Sequence, residues 1–474
     1  MKRIKTDYLI VGAGATGLAF ADTLLAEDPD AQLTLVDERG APGGHWVDAY
    51  PFVTLHQPSA FYGVASIPLG SNRVETQGRQ AGMLELATGS ELLAYFESVM
   101  RHRLLATDRV RWQPLSTWDF EAGQIVSRVT GERTEVRIAR KQVDARYLSP
   151  VIPATHRPRF AIAEGAQVVP PGELTRLGQR SRPPAHFAIL GAGKTAMDTA
   201  IYLIDQGVSP EAITWVMPRD AWLLNRAQTQ PGDAFFEATL GGQADQMAAW
   251  AEARSIDDLF DRLEACGAVL RIDPSRRPTM FHLATVSQAE VTALQSITQI
   301  VRQGRVLRVQ ATGLELEAGS HALPANTLCI DCTASAVERR PLQPIFQDGL
   351  IVPQLVRLPQ PTFSAALIAA VEAQPLDDQE RNALCRTVPF PWTLESYPEA
   401  LLIHLANQHA WAQRPALRQW IRDCRLDGFG RMIAAVRPQD SGRVAILERM
   451  RALTGPALQN LQQLAAGAER TPAR

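Results

Sequence analysis

Three glycines near the N-terminus have the clearest chemical implication, in the string Gly-Ala-Gly-Ala-Thr-Gly at residues 12–17. An apolar run precedes them, a helical pattern rich in Ala and Leu follows, and Asp37 lies 20 residues after the last glycine. In such a strand–turn–helix the glycines permit a tight turn, a close approach of a pyrophosphate and close packing of the helix. The free N–H groups of the helix start hold the diphosphate, and the acid accepts from ribose hydroxyls. The predicted nucleotide contacts are Gly12, Gly14, Ala15, Thr16, Gly17, Asp37 and Glu38.

A second string of the same kind begins 179 residues later, as Gly-Ala-Gly-Lys-Thr-Ala at residues 191–196. Alanine is accepted at its third position. The following strand ends in Pro218-Arg219 instead of an acid. Because a guanidinium pairs with a 2′-phosphate that a carboxylate would repel, this site predicts NADPH and not NADH, the alternative for Arg219 being a solvated surface arginine. The predicted contacts are Gly191, Gly193, Lys194, Thr195 and Arg219, with Lys194 and Arg226 as additional candidates for the phosphate.

The elements that position these residues read as two βαβ openings. Apolar runs predict strands at 4–11 and 32–36 around a helix at 15–26, and a second unit starts at Phe187. Alternation predicts antiparallel strands over 109–146, and helices are expected over 234–265 and 287–301. The fold class is α/β with two Rossmann-type domains, the second inserted into the first, and a helical C-terminal region. The expected division is 1–184 and 327–375 for the first nucleotide-binding domain, 185–326 for the second, NADPH-binding domain and 376–474 for the helical region.

The composition is that of an ordinary globular enzyme. Of 474 residues 46% are hydrophobic, and 48 basic against 50 acidic residues give a net charge of −2, so no global field favours nucleic acid or a membrane surface. Five cysteines, an odd and sparse set, fit a reducing compartment, and no apolar run reaches membrane-spanning length. We therefore expect a cytoplasmic protein with a small-molecule substrate, as a monomer or a homodimer.

The residues after Asp37 carry a family resemblance. Gly43-Gly44, Trp46 and Tyr50-Pro51 match the Gly-Gly-x-Trp and Tyr-Pro elements of flavin-containing and Baeyer–Villiger monooxygenases, which the chain resembles over about residues 4–335. The resemblance implies FAD at the first site, with Gly44 and Trp46 near its flavin end, and NADPH at the second. It also implies hydride transfer to the flavin and oxygen transfer to a small organic substrate through a peroxyflavin. Ordinary core packing is the alternative role for Trp46.

Two elements depart from that family. The Phe-x-Gly-x-x-x-His motif is missing, since Phe160 and Gly165 have the wrong spacing, and the Ala-Thr-Gly element is replaced at residues 332–334 by Cys-Thr-Ala. The N-hydroxylating branch also lacks the first motif and shares alanine at position 196, but its Gln-Ser pair is Lys-Thr here. A flavin reductase, dehydrogenase or oxidase without oxygen transfer therefore stays an alternative, as does a non-catalytic nucleotide-binding redox sensor.

Few other residues suggest catalysis. His45 and His56 are weak catalytic candidates because most lone histidines are structural. Cys329 and Cys332 have the spacing of a disulfide reductase, but they end an apolar strand and are expected to be structural. No metal-ligand spacing is present. The segment 47–67 and the insertion 234–301 are expected to supply apolar walls to a substrate pocket.

Overall fold

The computed structural model describes residues 2–179, 182–335 and 338–468. Its strands in chain order are β1 (Lys2–Val11), β2 (Leu33–Val36), β3 (Val110–Gln113), β4 (Ser116–Asp119), β5 (Gln124–Ser127), β6 (Arg133–Asp144), β7 (Ala161–Ile162), β8 (Gln167–Val169), β9 (His186–Leu190), β10 (Ile213–Val216), β11 (Ala221–Asn225), β12 (Val269–Leu270), β13 (Met280–Val286), β14 (Gln299–Val301), β15 (Val306–Gln310), β16 (Gly313–Leu316), β17 (Gly319–Ala322), β18 (Thr327–Asp331), β19 (Phe346–Gln347) and β20 (Leu350–Ile351). Its α-helices are α1 (Ala15–Glu27), α2 (Gly89–Ser98), α3 (Lys194–Asp205), α4 (Gly242–Glu252), α5 (Ile256–Ala265), α6 (Gln288–Gln295), α7 (Pro361–Glu372), α8 (Asp378–Leu384), α9 (Tyr397–Ala412), α10 (Pro415–Asp423), α11 (Gly430–Ala434) and α12 (Ser441–Ala468).

The first sheet has the order β19-β20-β6-β1-β2-β3, with β4 and β5 attached to β6. β1 lies parallel between β2 and β6, and its last four residues are all buried. Helix α1 covers one face of the sheet and packs against α7. The apolar alternation over 109–146 corresponds to four strands, of which β4, β5 and β6 are antiparallel as expected, whereas β3 runs parallel to β2.

The second sheet is entirely parallel, in the order β14-β10-β9-β18-β8. Strand β18, expected at the start of the return segment, therefore lies in this sheet beside β9, and β8 joins it from before residue 185. The chain returns to the first sheet only at β20, where Leu350 pairs with Gln142. Because a buried run of five apolar or small residues fits either sheet, the sequence does not distinguish these placements. The α/β class is confirmed, with one mixed sheet and one parallel sheet.

The expected helix over 287–301 is shorter than predicted. A capping box between Ser287 and Glu290 starts α6, which ends at Gln295. Residues 299–301 instead form β14, which pairs with β10. This prediction was wrong because a three-residue edge strand carries too few positions to show a period of two.

The C-terminal helices contact both units. Asn460 of α12 donates to the carbonyls of Trp250 and Ala253, at the end of α4 in the insertion. Arg425, after α10, instead donates to carbonyls in segment 60–64 of the first unit. None of the helices in the described ranges is both long and apolar enough to cross a membrane.

Candidate nucleotide and substrate site

The first glycine loop has the conformation that its sequence predicts. Gly12 follows β1 with φ +101°, and its N–H donates to the Val36 carbonyl at 2.8 Å. A Cβ on Gly17 would lie 1.9 Å from the Gly12 carbonyl oxygen, so only glycine allows α1 to pack this closely. A Cβ on Gly44 would lie 2.9 Å from the Gly14 Cα. The Gly43-Gly44 turn thus lies directly against the loop.

Asp37 lies at the end of β2 and is only 6% exposed. Its carboxylate accepts from the Ala13 N–H at 2.7 Å and from the Arg39 N–H at 2.8 Å, which fixes both oxygens beside the glycine loop. Glu38 is exposed and pairs with Arg39 and Arg128. Asp37, and not its neighbour, is therefore the buried acid of this site.

A cavity of about 550 Å³ opens at this point. It is lined by the loop and by the ends of β4 and β6, which sequence reasoning did not assign to the site. Helix α1 begins at the loop without a side-chain cap, so the N–H groups of Ala15 and Thr16 face the cavity without a side-chain partner. A glycine cradle, an uncapped helix start and a buried acid are the groups that an adenine dinucleotide requires. These residues fit FAD.

The second glycine loop repeats this geometry at the end of β9. Gly191 has φ +118°, and a Cβ there would lie 2.6 Å from the Cys332 carbonyl oxygen. The Cys-Thr-Ala element at 332–334 therefore packs against the loop, as the strand end of β6 does in the first unit. A Cβ on Gly193 would meet no atom within 4 Å, and α3 also starts without a side-chain cap. The loop faces open space, where a pyrophosphate would fit.

Two of the predicted phosphate contacts have other partners. Lys194 is buried and forms an ion pair with Asp198, one turn further along α3. Arg226 is fully buried, and its guanidinium donates to the His56 carbonyl, to Glu290 and to the Thr285 carbonyl. The expectation for Arg226 was wrong, because its guanidinium already donates to these three groups inside the protein. Thr195 lines the large cavity described next.

Arg219 is exposed and lines a cavity of about 1020 Å³. Within the described ranges its guanidinium forms no hydrogen bond or ion pair, and the same is true of Arg159 and Arg305, which line the same cavity. Burial, followed by the positive charge of Arg305, lowers the pKa of Arg219. Three arginines that line one cavity without an ion-pair partner favour a polyanion there, although the charge of Glu317 opposes that of Arg305 at Arg219. Arg159 and Arg305 were not anticipated, because neither belongs to a motif.

The two cavities adjoin. Both are lined by the same five residues, which we call the junction: His45, Tyr62, Pro150, Val151 and Pro361. Pro361 is the first residue of α7, whose start also lacks a side-chain cap bond. Trp46 lines the larger cavity and is 8% exposed, so it is both buried and cavity-facing. The segment 47–67 contributes apolar walls as expected, whereas the insertion contributes only Met280 and residues 282–285, from β13.

His45 and His56 both line the larger cavity. Burial and the nearby Arg39 lower the pKa of His45 to about 4. Burial, together with Lys194 and Arg226, lowers the pKa of His56 well below its usual value. Both imidazoles are therefore neutral at pH 7, where they can accept or donate a hydrogen bond but carry no charge.

Cys329 and Cys332 are free and buried. Cys329 packs on the face of the second sheet that also holds Phe160, whereas Cys332 packs on the opposite face with Phe187. Burial raises the pKa of each thiol to about 12. Neither the placement nor the protonation state suits a redox-active pair.

The fold and the motifs define the class of this protein. Residues 10–57 match the model of the NAD(P)-binding Rossmann-like domain. The structure resembles that of a polycyclic ketone monooxygenase from Thermothelomyces thermophila, with a TM-score of 0.50 at 14% identity over 99% of this chain and 89% of the other. The class is that of α/β proteins with two Rossmann-type units in one chain.

Within that class, the chain belongs to the same family as an uncharacterised protein of Mycobacterium tuberculosis H37Rv. The two are 41% identical over 449 residues, which cover 95% of this chain and 82% of the relative. An FAD-dependent monooxygenase of Aspergillus nomiae is 25% identical over 224 residues, 44% of this chain and 37% of that enzyme.

Proposed function

We propose that this protein binds FAD at the first glycine loop and NADPH at the second, and acts as a monooxygenase on a small organic substrate. The observation that carries the proposal is the junction. Two cavities, each opening on a glycine loop with an uncapped helix, share the five junction residues. A dinucleotide in each cavity would therefore bring its redox ring to the same place. The names of the partial relatives, FAD-dependent monooxygenases of Aspergillus nomiae and Pyrenophora dematioidea, support the same activity.

The preference for NADPH rests on charge. Arg219 follows the strand where the first unit has Asp37, and Arg305 lies near enough to perturb it. A 2′-phosphate carries close to two negative charges, which two unpaired guanidiniums can neutralise. Lys194 also lines this cavity but pairs with Asp198, so we assign the 2′-phosphate to the two arginines.

Bound FAD supplies two-electron redox chemistry between NADPH and dioxygen. The protein binds and orients the nucleotides, and it excludes water from the junction. Trp46 and Tyr62 are less than 10% exposed there, and Pro150, Val151 and Pro361 add walls without side-chain donors. His45 at the junction and His56 in the larger cavity remain neutral, so neither adds a fixed charge. A dry, uncharged site is what oxygen transfer without peroxide release requires.

The test is a two-stage absorbance experiment. The purified protein, holding FAD, is reduced by NADPH without oxygen and then mixed with oxygenated buffer. A transient spectrum that differs from those of oxidised and reduced flavin supports the monooxygenase. Immediate return of the oxidised spectrum with release of hydrogen peroxide supports a reductase or oxidase. Absence of reduction by NADPH contradicts the proposed nucleotide assignment.

A further inference from the structure

Tyr62 is the one junction side chain with a hydroxyl group, and it is 6% exposed. Its oxygen accepts a hydrogen bond from Trp46 Nε1 at 2.9 Å. The described part of the chain offers no acceptor for the hydroxyl proton. A buried donor without a partner is costly, so the free O–H is suited to a group bound at the junction.

The backbone around Tyr62 is held from the C-terminal region. Arg425 donates to the carbonyls of Ala60, Tyr62 and Val64 at 2.9, 2.6 and 2.9 Å. Thr362, in the first turn of α7, donates to the Phe61 carbonyl at 3.2 Å. The carbonyls of residues 60, 61, 62 and 64 are thus held by side chains more than 300 positions further along the chain. These hydrogen bonds set the position of the Tyr62 ring.

The side chain is oriented as firmly as the backbone. The Trp46 and Tyr62 rings pack edge to face with centroids 6.1 Å apart, and Phe96 packs edge-on to Tyr62 at 6.3 Å. Burial raises the pKa of Tyr62 to about 12. The phenol therefore stays protonated across the physiological range and acts as a neutral donor. Because Trp46 occupies one lone pair, the remaining freedom is the direction of the O–H bond.

We propose that the Tyr62 hydroxyl donates a hydrogen bond to the polar edge of the flavin ring at the junction, with Trp46 as the residue that positions it. The inference rests on the proposed binding of FAD at the first site. Reduction adds electron density to the heteroatoms of a flavin, so a neutral donor stabilises the reduced form more than the oxidised form. Loss of the hydroxyl should therefore make the flavin harder to reduce.

The experiment compares Tyr62→Phe with the wild-type holoprotein by spectroelectrochemistry. We expect FAD to be retained and the reduced-to-oxidised equilibrium to fall about tenfold, which is about 30 mV for a two-electron couple, together with a shift of the flavin absorbance bands. Tyr8→Phe is the matched control. Its hydroxyl is also buried but donates to Glu372 and lines neither cavity, so the flavin should be unchanged.

Trp46→Phe provides the second variant. It should shift the potential in the same direction by a smaller amount, and it should add nothing in the Tyr62→Phe background. A Tyr62→Phe protein with wild-type potential and spectrum contradicts the role of Tyr62 while leaving FAD binding intact. If Tyr62→Phe does not fold, a wild-type potential in Trp46→Phe contradicts the inference. Wild-type protein without flavin contradicts the proposed function itself.

Discussion

The Tyr50 hydroxyl donates a hydrogen bond to Oδ2 of Asp198 at 2.8 Å, and so joins the segment after the first glycine loop to the helix after the second. The other oxygen of Asp198 pairs with Lys194. The Phe52 and Tyr202 rings stack beside this contact, with centroids 4.1 Å apart. The lysine that follows Gly193 therefore helps to hold two units together, which is why the proposed 2′-phosphate site is assigned to arginines elsewhere.

Binding of FAD should depend on Gly14. Gly14→Val places branched carbons where the pyrophosphate approaches and against Gly44, whose Cα would lie 3.5 Å from the new Cβ. We expect the purified variant to contain no FAD, as measured by release on denaturation, while far-UV circular dichroism shows a folded protein. FAD at wild-type stoichiometry would contradict the assignment of the first site.

The matched control is Gly193→Val in the second loop. A Cβ at this position meets no atom within 4 Å, so stability should be unchanged. We expect normal FAD content and at least tenfold weaker binding of NADPH, because the added carbons occupy the space of the second pyrophosphate. Loss of FAD in this variant would mean that the two loops are not assigned correctly.

Discrimination between NADPH and NADH should depend on Arg219. Arg219→Ala removes a charged hydrogen bond to the 2′-phosphate, of about 1.5–3 kcal/mol, so KM for NADPH should rise roughly tenfold to a hundredfold. KM for NADH should hardly change. Arg176→Ala is the control, since Arg176 lines the same cavity but is paired with Glu173. Equal effects of Arg219→Ala on both nucleotides would exclude this role.

The cysteine pair should be dispensable for electron transfer. In the double variant Cys329→Ser, Cys332→Ala we expect NADPH-driven flavin reduction at the wild-type rate, because the thiols lie on opposite faces of a sheet and stay protonated. A buried serine hydroxyl and a smaller side chain should lower the free energy of unfolding by roughly 1–3 kcal/mol. A folded, FAD-containing variant without turnover would instead favour a disulfide reductase.

The free energy of unfolding should decrease as the pH is lowered because of His404. Its Nδ1 accepts the Leu358 N–H at 3.0 Å, and burial together with Arg357 lowers its pKa to about 3. The unfolded chain binds a proton near pH 6.5, so the contribution of this residue is complete above pH 6.5. It is lost as pH falls toward 3, by about 1.4 kcal/mol per pH unit at most.

Chemical denaturation at pH 7, 6 and 5 measures this slope. His404→Gln, which keeps an acceptor for Leu358 but does not titrate, should flatten it. His102→Gln, at an exposed position, should not. Parallel slopes for wild type and His404→Gln would assign the acid sensitivity to other groups.

The glycine loops could be predicted from the sequence because their sterics allow few substitutes. Gly17 lies so close to the Gly12 carbonyl that no side chain would fit. Because each loop position has such a constraint, the glycines occur at a fixed spacing that can be found in the sequence. The position of β18 could not be predicted, since its residues suit any buried parallel strand. The identity of the sheet is decided by pairing with β9, which is more than 130 positions away.

The junction could not be predicted for a related reason. Tyr62 lies in a segment without periodicity, and the donor that fixes its backbone, Arg425, is 363 positions further along the chain. No motif links the two residues, and each is unremarkable by itself. Arg305 was missed because its relevance depends on the fold bringing it near Arg219.

The way in which the C-terminal helices hold both units has a consequence for recombination with homologues. Asn460 caps the end of α4 in the insertion, whereas Arg425 fixes the segment that carries Tyr62. A chimera that exchanges the second unit alone would retain the original α12. That helix would then face an α4 from another protein, with which it has not been matched. An exchange that works must therefore transfer residues 430–468 together with the insertion, because Met432 packs on Phe236 and Leu240, and leave residues 415–427 with the first unit.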